Sequence, residues 1–188
     1  MTAEDERCAR ARRFQAIDHA FRQGDLDLLR AAVDDPATIP NGPMPLEIGH
    51  CLEYAVYHSP LRFVRTLLEA GADPNPTDHD GFPPLIAALT KTHPHPGSPA
   101  RDDVADVVRV LLEFGADPNQ RGLNDYTALH YAVGERNSEV LRLLLAAGAD
   151  PLQRTRIDDL ETPRELALRI GFDEAARLLD SSERYLHP

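Results

Sequence analysis

The sequence of 188 residues lacks several features that mark common classes of protein. It has no tryptophan, a single lysine (Lys91) among 20 basic residues, and two cysteines, Cys8 and Cys51. Two cysteines cannot form the disulfide framework of a small secreted domain. No apolar run approaches the roughly 18 residues of a membrane-spanning helix, and the charged N-terminus resembles no secretory signal. We therefore expect a cytoplasmic protein, and the arginine bias suggests a bacterial source.

The composition is that of a folded, acidic protein. Apolar residues make up 42% of the chain and charged residues 27%, which is enough to bury a core. Acidic residues outnumber basic ones by 31 to 20, so the net charge is −11 with histidine neutral. This sign argues against binding to nucleic acid and favours basic or neutral partners.

An internal repeat is the strongest pattern in the sequence. The phrase Leu-Leu-x-x-Gly-Ala-Asp-Pro occurs three times, and its glycines are Gly71, Gly115 and Gly148. The second and third copies are 33 residues apart, whereas the first and second are 44 apart. The additional 11 residues belong to a turn-rich insertion within 91–103. A repeat of 33 residues indicates an array of stacked units rather than one globular fold.

Each repeat has the local signals of two helices. Apolar residues before each glycine lie at i, i+1, i+4 and i+5, which is the spacing of one helix face. The glycine suits the left-handed position that ends a helix, and Asp-Pro prevents its continuation. A shorter helix comes before this one, most clearly at 127–132. Thr162 and Glu165, which flank Pro163, form the pattern of a capping box and predict a helix over 163–170.

These motifs resemble the ankyrin repeat family, whose pattern of T-P-L-H-x-A followed by L-L-x-x-G-A-x-x-N is visible at 127–150. The resemblance covers about residues 14–180. It implies an all-α fold, a solenoid of about five helix-turn-helix units with extended finger turns between units. It further implies a single array at 10–184, with an N-terminal cap at 10–38, internal repeats at 39–76, 77–120 (with an inserted loop at 91–103) and 121–153, and a C-terminal cap at 154–184.

No catalytic motif accompanies the repeats. The sequence contains no G-x-S-x-G, phosphate-binding loop, C-x-x-C or H-E-x-x-H pattern. We therefore expect no enzyme activity, no cofactor and no metal. The function that the resemblance implies is a non-enzymatic protein–protein interaction module, an adaptor or an inhibitor, that binds a partner through its concave face. The alternative is a small metal-dependent or hydrolytic enzyme with an active site on the array.

The resemblance also implies where a partner binds, because the inner helices and fingers line the concave face of the family. The predicted partner-binding residues at these positions are Glu47, Tyr54, Tyr57, His79, Asp80, Phe82, Thr90, Asn124, Tyr126, Tyr131, Asp158, Asp159 and Glu161. They include four of the five tyrosines, which suit binding because an aromatic ring offers a large contact area with few rotors. We expect a monomer that receives a basic or amphipathic protein segment in an acidic, aromatic groove. The alternative for Tyr54 and Tyr131 is packing between inner helices.

Three other candidates favour structural explanations. His93 and His95 lie two residues apart, but a metal site needs a third ligand and a fixed geometry. Cys51 lies at the start of an inner helix, and we expect a buried, inert thiol. The resemblance implies that His130 ties adjacent turns together through hydrogen bonds.

Overall fold

The computed structural model describes residues 3–42, 44, 49–77, 82–90, 101–122, 125–157 and 160–186. These residues form two compact bodies, which we call the N-terminal body (to residue 73) and the C-terminal body (from residue 74). The described residues contain ten α-helices and no strand. None of those helices combines the length and apolarity needed to cross a membrane. The expected all-α fold is confirmed.

The N-terminal body consists of two helical hairpins. Its helices are α1 (Ala3–Gln23), α2 (Leu26–Ala32), α3 (Cys51–His58) and α4 (Leu61–Glu69), with a short 3-10 helix at Pro36–Thr38. Helix α1 packs against α2 and α3, and α4 packs against α2 and α3. Fully buried Phe21 and Phe63, whose ring centroids are 5.8 Å apart, lie in the core of this body. Helix α1 begins seven residues before the predicted start of the first repeat, and its residues 4–12 are exposed.

The C-terminal body contains three further hairpins. Their helices are α5 (Pro84–Ala87), α6 (Val104–Glu113), α7 (Ala128–Gly134), α8 (Ser138–Ala146), α9 (Pro163–Arg169) and α10 (Asp173–Leu186). The inner helices α5, α7 and α9 pack in sequence, and so do the outer helices α6, α8 and α10. The core between them is formed by the apolar faces that the sequence predicts, including Leu111, Leu129 and Leu144. Stacking therefore buries faces that no hairpin could bury alone.

The glycine of each repeat ends the outer helix as predicted. Gly71, Gly115 and Gly148 have φ angles of 92°, 87° and 89°, in the left-handed region. The next amide turns back to the helix: Ala149 N donates to Leu144 O at 3.0 Å, and the other two repeats have equivalent bonds. Open space surrounds the three glycines. Backbone conformation, and not crowding, therefore requires glycine at these positions.

Asparagine side chains join successive fingers, a role that we did not predict from the sequence. The Asn75 side chain bonds Gly115 O and Asp117 N, and that of Asn119 bonds Gly148 O and Asp150 N. Within the N-terminal body, Asn41 bonds Gly71 O and Asp73 N in the same way. The sequence did contain a signal for this role, because asparagine is the last residue of the repeated phrase in its first two copies, at Asn75 and Asn119. Leu152 replaces asparagine in the third copy, and its side chain cannot form such bonds.

Candidate functional site

Three predicted residues come together in the C-terminal body as an aromatic cluster, formed by Phe82, Tyr126 and Tyr131. The ring centroid of Tyr131 lies 6.3 Å from that of Phe82 and 6.1 Å from that of Tyr126, both in edge-to-face geometry. All three residues are half-buried. The cluster thus combines mutual ring packing with surface that stays accessible to a ligand.

Two inner helices and one finger position these rings. Phe82 precedes Pro83 and helix α5, Tyr131 lies on α7, and Tyr126 belongs to the fourth finger (residues 120–127). Gly122 N donates to Tyr126 O at 2.9 Å, and an isolated bridge pairs Arg121 with Thr127. Phe82 and Tyr126 are 44 residues apart, which is the offset between their repeats. The repeat therefore places both at the same register, and the finger fixes the backbone of Tyr126.

His130 lies behind Tyr126, with the two ring centroids 5.3 Å apart. It is 1% exposed, and its Nδ1 accepts a hydrogen bond from Thr127 N at 3.2 Å and lies 2.9 Å from Thr127 Oγ1. Its Nε2 lies 3.1 Å from Glu161 O, so a proton on Nε2 is donated to the next finger. Burial lowers the pKa of His130 from its ordinary value. The structure therefore shows the expected bonds between adjacent turns.

The structure places Glu161 in the packing between repeats and not on an open binding face. Glu161 is 6% exposed, and its carboxylate accepts two bonds from the guanidinium of Arg169, at 2.5 and 3.0 Å. Its main chain pairs with Thr155, whose N donates to Glu161 O at 3.1 Å. The carboxylate thus pairs the fifth finger (residues 153–162) with Arg169 on α9. We therefore remove Glu161 from the candidate binding residues.

Asp125 in the fourth finger and Glu165 on α9 are also paired with arginine. Arg121 bonds both the carboxylate and the main-chain oxygen of Asp125 at 2.9 Å. Arg154 makes two bonds of 2.7 and 2.8 Å to the carboxylate of Glu165. The expectation was an acidic, aromatic groove, whereas these two described carboxylates are each paired with an arginine.

The structure places Tyr54 in the core of the N-terminal body, as the packing alternative expected. Tyr54 is 3% exposed, its ring centroid lies 4.7 Å from that of Phe21, and its hydroxyl donates to Asp18 Oδ1 at 2.9 Å. Arg22 bonds the other oxygen of the same carboxylate at 2.7 Å. Burial opposes ionisation of Asp18, but these two hydrogen bonds prevail and lower its pKa. Tyr57 is also buried. Neither ring offers much surface to a partner, since helix α1 packs over Tyr54 and Tyr57 is 6% exposed.

The remaining predicted residues add little to the site. The Thr90 hydroxyl donates to Ala87 O at 3.0 Å and closes the end of α5. Glu47, His79, Asp80, Asn124, Asp158 and Asp159 lie outside the described residues, and so do His93 and His95. No group of three or more possible metal ligands occurs within the described ranges.

Cys51 is buried, which raises the pKa of its thiol to about 12 and leaves it protonated at neutral pH.

The repeats are similar to those of a known protein family. A family model described as ankyrin repeats, in three copies, matches residues 52–155. This segment includes all three residues of the aromatic cluster as well as His130 and Thr155. No curated protein matches the chain significantly.

Proposed function

This chain belongs to the ankyrin repeat family, whose repeats are generally protein–protein interaction modules, and we propose that it binds a partner protein without catalysing a reaction. The proposed binding surface is the face that the inner helices and fingers form in the C-terminal body. Binding there would let the protein act as an adaptor or as an inhibitor that covers part of its partner. The cytoplasm is the proposed location.

The aromatic cluster carries this proposal. Buried aromatic anchors with a polar edge are typical of residues that dominate binding energy. Tyr126 and Tyr131 have that chemistry, and the packing of Tyr131 on both Phe82 and Tyr126 limits the rotamer freedom that the rings would lose on binding. The surface is therefore preorganised, and Thr90 at the end of α5 extends the set of proposed contacts.

The proposed partner segment is amphipathic, with apolar side chains against the aromatic cluster and basic residues at its edges. The ion pairs of the fourth and fifth fingers and of α9 favour an apolar anchor, because Asp125, Glu161 and Glu165 are each paired with an arginine. The net charge of −11 favours basic residues further out and disfavours nucleic acid. We propose a monomer, with one such segment per chain.

A variant that lacks both tyrosine rings of the aromatic cluster tests the proposal. The chain, immobilised, would capture proteins from its native source, and mass spectrometry would compare wild type with the Tyr126→Ala/Tyr131→Ala variant. Removing two anchors of about 1–2 kcal/mol each is expected to weaken specific capture by tenfold or more. Leu28→Ala, which truncates an exposed apolar residue on α2, is the control and should capture normally. Equal capture by a folded double variant would refute the role of the cluster.

A further inference from the structure

Helix α1 is much longer than the other helices of its body. It contains 21 residues, whereas its partner α2 contains 7 and the next inner helix α3 contains 8. Three residues in its C-terminal part, Ile17, Ala20 and Phe21, are completely buried in the core of the N-terminal body. Residues 4–12 are exposed. The N-terminal half of α1 therefore lies outside the apolar packing that holds its C-terminal half.

The exposed half of α1 is helical for local reasons. Alanine, arginine and glutamate make up most of residues 3–13, and all three have a high helix propensity. The first turn contains Glu4, Asp5 and Glu6, which interact favourably with the positive end of the helix dipole. Because this half is helical although it is exposed, a partner that binds it loses little affinity to the ordering of the chain.

One face of the exposed half continues the face that packs in the core. Arg7, Phe14 and Phe21 follow each other at intervals of seven residues, which is close to two turns of helix. On this side of α1 lies a groove of about 350 Å³, whose described lining residues are Arg7, Arg10, Ala11, Phe14 and Gln15. Phe14 is half-buried, and the other four are exposed. This α1 groove thus combines one aromatic ring with two guanidinium groups.

The charge around the α1 groove is opposite to that of the chain. Residues 7–13 contain four arginines and no acidic residue, whereas the whole chain has a net charge of −11. Arg13 is paired with Asp34 at 2.6 Å, while Arg7 and Arg10 line the groove. Guanidinium groups form their strongest hydrogen bonds with carboxylates and phosphates. The α1 groove therefore favours an anionic ligand.

The surroundings of these arginines favour a protein ligand over a nucleic acid or a membrane. Three acidic residues, 4–6, precede the arginines on the same helix and repel a continuous row of phosphates. A helix that lies in a membrane surface needs large apolar residues along one face, whereas the apolar residues of 3–13 are three alanines and one cysteine. Phe14 offers apolar contact at one place in the groove. A ligand with both carboxylates and an apolar side chain fits this combination best.

We propose that the α1 groove is a second docking site, which binds an acidic amphipathic segment of a partner protein. An apolar side chain of that segment packs against Phe14, and its carboxylates pair with Arg7 and Arg10. The aromatic cluster lies in the other body, so one chain offers two surfaces with different charge preferences. Two such surfaces suit an adaptor, and this meaning rests on the proposed function, whereas the groove itself does not.

Two synthetic peptides test the α1 groove on the whole chain. The first forms an amphipathic helix with glutamates along one edge and leucines and a phenylalanine on its apolar face. The second has lysine in place of each glutamate. In NMR spectra of the labelled chain, we expect the glutamate peptide to shift the signals of Arg7, Arg10 and Phe14, and to bind more weakly as salt is added. Equal shifts with the lysine peptide, or no shift of these residues with the glutamate peptide, would overturn the proposal.

Charge reversal at two positions of α1 provides a matched pair of variants. Arg7→Glu replaces an attraction with a repulsion and is expected to weaken binding of the glutamate peptide by about fivefold to tenfold. Arg12→Glu makes the same change of charge on the same helix, outside the described lining of the groove, and should weaken binding less than about twofold. Equal weakening by both variants would show a response to overall charge alone and refute the groove. Phe14→Ala should also weaken binding, and the arginine pair decides if that variant does not fold.

Phosphate-bearing ligands are tested separately. The probes are vesicles that contain phosphatidylserine and a short DNA duplex. Both should bind more weakly than the glutamate peptide, and Arg7→Glu should then affect the peptide most. Tighter binding of either probe, lost in Arg7→Glu, would assign the groove to phosphates and overturn the choice of a protein ligand.

The α1 groove and the proposed function can fail separately. The Tyr126→Ala/Tyr131→Ala variant should bind the glutamate peptide as wild type does. Loss of that binding would place the peptide on the aromatic cluster and overturn the groove, while the capture experiment would keep its meaning. Arg7→Glu should still capture the proteins whose capture depends on the two tyrosines.

Discussion

The side-chain amide of Asn75 donates to the main-chain oxygen of Gly115, forty residues later, at 2.8 Å. Its oxygen accepts from Asp117 N at 2.7 Å, so one side chain satisfies two main-chain groups of the next finger. Asn119 makes the same pair of contacts one repeat later. The repeats of the C-terminal body are thus connected by specific polar contacts in addition to apolar packing.

Asn75→Ala is expected to lower the free energy of unfolding by about 1 kcal/mol, because two hydrogen bonds between repeats are lost where water can partly replace them. Asn119→Ala should have a similar effect. Urea denaturation followed by circular dichroism measures both. Gln15→Ala, which removes an exposed amide from α1, is the control and should change stability little. Wild-type stability in both asparagine variants would contradict the role of these bonds.

Gly148→Ala and Gly134→Ala should change stability in opposite directions. Gly148 has a φ of 89°, and a Cβ there is expected to cost roughly 1 kcal/mol. Gly134 is the last residue of the right-handed helix α7, and alanine should stabilise by about 0.5–1 kcal/mol. A new Cβ meets open space at both sites, so the comparison isolates the backbone. Thermal unfolding is the measurement, and a shift of the same sign in both variants would contradict the argument.

Arg169→Ala should destabilise the chain more than Arg142→Ala. Loss of Arg169 leaves the buried carboxylate of Glu161 without its guanidinium, which we expect to cost about 1–3 kcal/mol. Arg142 and its partner Glu174 are both about half exposed, so loss of that pair should cost less than about 1 kcal/mol. Chemical denaturation of the two variants in parallel checks the order. Equal costs would show that Glu161 is better hydrated than its burial indicates.

Tyr54→Phe tests the bond between the Tyr54 hydroxyl and Asp18. We expect a loss of about 1–2 kcal/mol at neutral pH, because the bond is made to an ionised carboxylate. The folded pKa of Asp18 lies below its ordinary 3.8, so the effect is fully present above that value. It should disappear as pH falls through the folded value. Denaturation of both proteins between pH 7 and pH 2 measures this difference, and a cost that does not depend on pH would contradict it.

A double-mutant cycle provides the control for this pair. Asp18→Asn and Tyr54→Phe are expected to combine with a coupling energy of at least about 0.5 kcal/mol, because the two groups share one hydrogen bond. Purely additive effects would show that Tyr54 acts through ring packing alone.

Much of the fold follows from patterns that lie close together in the chain. The helices of each repeat are specified by apolar spacing, the glycine that ends them and the capping box at Thr162. The aromatic cluster could also be predicted from the sequence, because Phe82 and Tyr126 occupy the same position in their repeats. These features depend on local geometry and on a fixed offset, which the sequence shows directly.

The burial of Tyr54 and Glu161 could not be predicted with the same means. Tyr54 is covered by Phe21 and Asp18 of α1, which are more than thirty residues away. Glu161 pairs with Arg169 because the fifth finger turns its carboxylate toward α9. The first outcome depends on how neighbouring hairpins meet, and the second on how a finger folds against the helix that follows it, and the apolar pattern of a repeat contains neither.

For this protein, the sequence by itself determined that helices repeat and where the outer helix of each internal repeat ends, since hydrophobic period and backbone conformation act over a few residues. Only the tertiary structure decided which of the predicted side chains stay accessible and which become part of the packing. The physical reason is that burial and ion pairing are properties of two surfaces in contact, and the pattern of one element does not show which surface it meets.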